Sequence, residues 1–168
     1  MAVKLDMAKA FDQMEWSFLL RIFTLLGFNS AWIHLIQQCL STVKFSIMLD
    51  GSPHGNFGST RGLRQGDPLS PFLFILGAEA LSRLILSEER KGNLHGIQIS
   101  RNSPSVSHLA YADDFFFFSK AKAMEADTFL QCLKKYESWS GQMVNFTKSS
   151  IFLVRIPRIL VFYLSRLF

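Results

Sequence analysis

Only 18% of the 168 residues are charged and only 2 are cysteine, and no apolar run approaches the length of a membrane span. Each shortage excludes something. Cys39 and Cys132 stand far apart without a CxxC, so no disulfide scaffold is available and neither has an expected disulfide partner. Both fall in apolar helical patterns, which predicts buried, reduced thiols. His34, His54, His95 and His108 lie in separate segments without ligand spacing, which argues against zinc. The longest apolar stretches are broken by charge, as at Arg155, Arg158 and Arg166, so neither a spanning helix of about 20 residues nor a membrane is expected. Residues 1–6 carry charge where a signal peptide is apolar, which points to an intracellular chain that is not secreted.

What is present is apolar bulk. Hydrophobic residues make up 49% of the chain and 17 are Phe, enough for one sizeable core and too many for a disordered or collagen-like chain. The net charge of +5 (18 minus 13) invites a nucleic-acid partner. Residues 151–168 hold three arginines and no acid, however, so the rest of the chain carries only +2 (15 minus 13). Charge alone decides nothing here, and any functional case rests on particular side chains.

Periodicity supplies the elements. Residues 2–6 alternate and predict a strand ending at Asp6. Apolar spacings of three and four predict a helix over 15–26, stopped by Gly27, and a second from an N-cap at Ser30 to Leu40, buried through Trp32, Ile33, Leu35 and Ile36. Residues 43–49 predict a strand turned at Asp50-Gly51, with a loose loop before it returns at Phe57. Asp67 is the expected N-cap and Pro68 the first residue of a helix to Glu89, with Leu69, Phe72, Leu73, Leu76, Ala80 and Leu84 on its buried side. Two strands over 107–119 should join tightly at Ala112-Asp113-Asp114, with Tyr111 packed beneath and Phe115 and Phe117 facing away from Phe116 and Phe118. A helix over 123–140 with Phe129, Leu130, Leu133, Tyr136 and Trp139 on one stripe ends at Gly141, and 143–146 with 150–154 form a last strand or hairpin. The fold class is therefore α+β, with helices on one face of an antiparallel sheet.

Two acidic features stand on unusual ground. Asp6 ends a strand, and Asp113-Asp114 sits between apolar strands. Carboxylates held together repel unless cations neutralise them. Mg²⁺ takes oxygen ligands, typically one or two carboxylates with substrate phosphates. Two such ions about 3.5–4 Å apart serve phosphoryl transfer. An Asp-Asp pair between strands equally suits an ordinary solvated turn.

The combination is more specific than its parts. Lys4 to Asp12 (KLDMAKAFD), Gly62 to Pro71 (GLRQGDPLSP), Tyr111 to Asp114 (YADD), and Gly141 through Asn145 to Lys148 occur in that order. They resemble the successive palm motifs of reverse transcriptases, most closely those of plant LINE-type (non-LTR) retrotransposons. The resemblance implies a polymerase-type palm. It implies RNA-directed DNA polymerisation by two-metal transfer of dNTPs to a DNA 3′ end on an RNA template, with two Mg²⁺ ions that Mn²⁺ can replace. In these terms Asp6, Asp113 and Asp114 are the metal-holding catalytic carboxylates, and Lys148 resembles the lysine that protonates departing pyrophosphate. Phe11 matches the aromatic that excludes a 2′ hydroxyl, while Gln65 and Gly66 match the loop against nucleotide and template.

The family's fingers and thumb have no counterpart in the motifs found. The expectation is a truncated palm over 1–154, followed by an apolar basic tail over 155–168, weak or inactive as an isolated chain. Alternatives are a non-catalytic retrotransposon relic with at most weak nucleic-acid binding, or an intron maturase palm.

Overall fold

The structure, a computed structural model, describes residues 1–111 and 114–153. Its elements run β1 (Ala2–Ala8), α1 (Trp16–Leu25), α2 (Ser30–Ser41), β2 (Lys44–Leu49), β3 (Ser52–Gly58), α3 (Ser70–Arg90), β4 (His108–Tyr111), β5 (Asp114–Phe118), α4 (Ala123–Ser140), β6 (Met143–Val144) and β7 (Ser150–Phe152). The expected α+β class holds: one antiparallel sheet carries the helices, and β2 with β3 forms a separate hairpin. The proposed boundary at 154/155 and the tail lie outside the described residues.

β1 is the centre of the sheet. β5 pairs along one edge, from Ala2 opposite Phe118 to Asp6 opposite Asp114, and β4 lies beyond β5. The other edge is shared between two short strands: β7 pairs with residues 2–4 and β6 with residues 7–8. These two do not pair with each other. They form one interrupted edge strand, with residues 145–149 looping out opposite Leu5 and Asp6. Strand alternation sorts the faces. Val3, Leu5, Met7, Phe115 and Phe117 are buried in the core, where Phe117 stacks on Phe129 of α4 with centroids 3.7 Å apart. Lys4, Asp6, Asp114, Phe116 and Phe118 take the opposite, half-buried face.

Several local expectations are corrected. Asn29, not Ser30, caps α2; its backbone is still extended, and its side chain accepts from Ala31 N at 2.8 Å. α3 begins at Ser70, with Pro71 in its first turn. Asp67 caps the preceding turn instead, accepting from Leu69 N at 2.8 Å. The buried stripe of α3 runs Ser70, Leu73, Phe74, Gly77, Ala80, Leu81 and Ile85, leaving Phe72 in solvent. Gly77 explains the rotation: a Cβ there would stand 3.0 Å from Leu19 Cδ2, so this side lies flush against α1. α3 is also the one described helix long and apolar enough to cross a membrane, with mean hydropathy 1.4, but its apolar side packs on α1 and α4 as a core helix does.

In α2 only Ile36 is fully buried and Leu35 is exposed; on α4, Trp139 is likewise half in solvent. Asp50 and Gly51 both adopt positive φ, so the β2–β3 turn is tight and β3 starts at Ser52 rather than Phe57. Tyr111 is 82% exposed rather than packed beneath the hairpin. Cys39 is exposed, and only Cys132 is a buried thiol, with burial pushing its pKa up.

The segment after β1 is clamped from two sides. On one, Leu63 N donates to Phe11 O and Gly62 N to Met14 O, both at 2.8 Å, while Trp16 Nε1 donates to Gly62 O at 2.6 Å. On the other, the buried Gln142 donates through Nε2 to Ala10 O at 2.8 Å, and Glu15 N donates to Ser140 O at 2.8 Å. Tyr136 completes this cluster by donating its hydroxyl to Gln142 Oε1, and burial holds its pKa far above the usual phenol range.

Two predictions follow from this frame. Gly62 has φ +85 and a Cβ there would stand 2.7 Å from Asp12 O, whereas Gly66 has φ +84 with open space around it. In urea denaturation, Gly66→Ala should therefore cost about 1 kcal/mol from backbone strain alone, and Gly62→Ala more than about 2 kcal/mol. Equal losses would contradict the clamp. With a thiol-specific reagent, the native chain should label at Cys39 within minutes and at Cys132 only after unfolding, since reaction requires an accessible thiolate; mass mapping reads the difference.

Candidate active site

The sheet face away from the core carries the acidic group. Asp6 N donates to Ser149 Oγ at 3.1 Å and Asp6 O accepts from Asn145 N at 2.8 Å, so both backbone polar groups of Asp6 point toward the 145–149 loop. Its pairing with Asp114 on the other edge is therefore of the non-hydrogen-bonded kind, in which opposed Cα atoms stand about 4.5 Å apart and side chains are closest. Directly opposed residues share a face, so the Asp6 and Asp114 side chains rise side by side from the open surface.

Asp114 has a cation already. Lys4 Nζ lies 3.0 Å from its Oδ1 and 5.7 Å from the centroid of the Phe116 ring. With both partners well exposed, this ion pair contributes at most about 1 kcal/mol. The Asp6 carboxylate has no hydrogen bond or ion pair among the described residues. Two oxygen-donor groups, one resting against a positive charge and one without a partner, make a donor set that suits a hard divalent cation. Among the described residues, no cluster of three or more metal-ligating side chains forms. Asp113, the third expected ligand, lies outside the described residues.

Phe11, half-buried, stacks on Phe74 of α3 with ring centroids 4.8 Å apart and planes 12° from parallel. The turn carrying it follows β1 directly. Gln65 Nε2 reaches Asp12 Oδ1 at 3.4 Å, so the Gln65-Gly66 loop stands next to the Phe11 turn. The positive φ of Gly66 turns the chain there, and no atom occupies the space its Cβ would fill. A cavity of about 500 Å³ opens alongside, between the end of α2, the base of the β2–β3 hairpin and the start of α3. Asp12, Arg61, Arg64 and Gln65 line it; Asp6 and Phe11 do not. Arg61 pairs with Glu15 at 3.5 Å, whereas the Arg64 guanidinium makes no ion pair among the described residues.

Lys148 is exposed, on the loop that bonds to the Asp6 backbone. No hydrogen bond or ion pair joins its ammonium to Asp6 among the described residues. The structure thus brings Asp6 and Asp114 together, sets Phe11 beside Gln65 and Gly66, and places Lys148 on a loop tied to Asp6. Ser149 escaped the sequence reading as a contributor to this site, and Asn145 and Gln142 entered it only as part of the motif from Gly141 to Lys148, with no role of their own. Residues 145–149, Asn-Phe-Thr-Lys-Ser, carry no local pattern that announces these bonds.

Comparisons with known proteins bear on the family and the fold. The family model described as reverse transcriptase (RNA-dependent DNA polymerase) matches residues 1–164. An uncharacterized mitochondrial protein of Arabidopsis thaliana is 52% identical over 67 residues, which is 40% of this chain and 55% of that protein. A retrovirus-related Pol polyprotein from the type-1 retrotransposable element R2 of Popillia japonica is 30% identical over 148 residues, 88% of this chain and 20% of that protein. Among solved structures, an apo telomerase of Candida tropicalis truncated from its C-terminal domain shares the fold, with TM-score 0.70 over 94% of this chain and 31% of that one at 15% identity. The chain spans 55% of the first of these relatives and 20% of the second. A family match from residue 1 to residue 164 leaves almost nothing of the sequence outside it: the chain belongs to the reverse transcriptase (RNA-dependent DNA polymerase) family.

Proposed function

We propose that this domain carries out RNA-directed DNA polymerisation, adding deoxynucleotides from dNTPs to the 3′ end of a DNA primer on an RNA template. The observation that carries the reading is the close pairing of Asp6 with Asp114 on the sheet face opposite the core. Membership of the family brings divalent-metal dependence in general terms. The finer reading is two Mg²⁺ ions, replaceable by Mn²⁺, held by Asp6 and Asp113 with Asp114 beside them. When bound, such ions activate the attacking oxygen and stabilise the leaving one.

The chain's own residues do the positioning. Phe11, braced by Phe74, presents a flat apolar ring where a sugar 2′ hydroxyl would lose its hydrogen bonds, which favours deoxynucleotides. Gln65 and Gly66 offer a polar side chain and open backbone to the nucleotide and template. Lys148 is exposed and free to give a proton to pyrophosphate as it departs. In the same reading, residues 1–154 are the palm and 155–168 an apolar basic tail.

Primer extension on an RNA template tests this. The purified chain at high concentration should extend slowly with Mg²⁺ or Mn²⁺, and chelation should abolish the product. Asp113→Ala with Asp114→Ala should lower the rate at least about a hundredfold, the kinetic equivalent of roughly 3 kcal/mol. Activity unchanged in that double variant would remove the assignment. Salt-sensitive RNA binding without extension in either metal would make the chain a non-catalytic nucleic-acid binder instead. Phe11→Ala should raise ribonucleotide incorporation relative to deoxynucleotide about tenfold or more in the same assay, because the excluded hydroxyl gains room.

A further inference from the structure

Leu5 and Asp6 occupy the one stretch of β1 with no strand along its second edge, because β6 has ended and β7 has not begun. A backbone N–H and C=O exposed there would ordinarily need another partner. The 145–149 loop supplies a hydroxyl for the N–H and a backbone amide for the C=O. Ser149 Oγ accepts from Asp6 N at 3.1 Å and donates to Asn145 O at 2.8 Å, while Asn145 N donates to Asp6 O at 2.8 Å. The same Asn145 carbonyl accepts from Lys148 N at 3.2 Å and Ser149 N at 3.0 Å. A serine hydroxyl has one proton and two lone pairs, so committing the proton to Asn145 orients a lone pair at Asp6.

We propose that Ser149 is a positioning residue: its hydroxyl holds the Asp6 backbone against the 145–149 loop, so the Asp6 carboxylate leaves the sheet in a set direction. The proposal rests on the reading of Asp6 as a metal-holding carboxylate. Ser149 acts through Asp6, by limiting how far the Asp6 Cα–Cβ bond can swing. Partners that orient a metal ligand from behind typically change metal affinity by about 10–100-fold when removed.

Mn²⁺ binding to the whole chain, read from loss of the free-ion EPR signal, tests this without any need for catalysis. Ser149→Ala should weaken Mn²⁺ affinity about tenfold, the lower end of that range, and speed hydrogen exchange at the Asp6 amide. Ser149→Thr, which retains the hydroxyl, should restore both. Ser149→Cys keeps the size but replaces the hydroxyl with a weak acceptor, so it should behave as Ala. If Ala fails to fold by circular dichroism, the contrast between Cys and Thr decides. Unchanged Mn²⁺ affinity in a folded Ala or Cys variant, alongside lost binding in Asp6→Asn, would overturn the role of Ser149 while leaving Asp6 as ligand. Undiminished binding in Asp6→Asn would overturn the metal reading itself, and the proposal with it.

Discussion

A strand that ends its pairing in mid-course leaves polar backbone with nowhere to go, and at Asp6 this chain meets that constraint with a five-residue loop instead of a continuous strand. The consequence reaches across the sheet. Because the Asp6 N–H and C=O both turn toward Asn145 and Ser149, its opposite edge meets Asp114 without ladder bonds, and in that register two side chains stand closest. The repulsion between two neighbouring carboxylates is tolerable because the surface is open to solvent and cations, and Lys4 already leans on one of them.

The aromatic and glycine parts of the site depend on a second brace. The segment after β1 is held between Gly62-Leu63 on one side and Gln142 with Ser140 on the other, so Phe11 leaves the sheet at a determined angle and meets Phe74 face to face. Gly141 belongs to the same brace. It ends α4 at φ +73, and a Cβ there would stand 2.9 Å from Gln13 O. The acidic face and the Phe11 turn thus share one rigid support, in which residues from both ends of the described chain take part.

Much of this was legible beforehand. The alternation of Phe115 to Phe118 separated one pair from the other, since a period of two in a strand needs no tertiary information, but only the packing decided that Phe115 and Phe117 are the buried pair. The helices also fell near their periodic segments. Errors arose where neighbours outside the local pattern decided. The α3 stripe turned toward Phe74 because Gly77 admits Leu19 and Met14, a fit no helical wheel contains. Leu35, Cys39 and Tyr111 are apolar or aromatic but reach no covering element among the described residues, and apolar character alone does not secure burial. β6 and β7 are too short to announce which strand they join.

By itself the sequence determined the class of fold, the identity of the acidic, aromatic and glycine motifs and their order, and the family they resemble, because these are properties of residue type and short spacing. Tertiary structure alone decided that Asp6 faces Asp114, that Ser149 bonds to Asp6 across 143 positions, and that Gln142 bonds to Ala10 across 132. Contacts at such separations are selected by the packing of the whole core and by the need to satisfy each backbone group, and no local period encodes them.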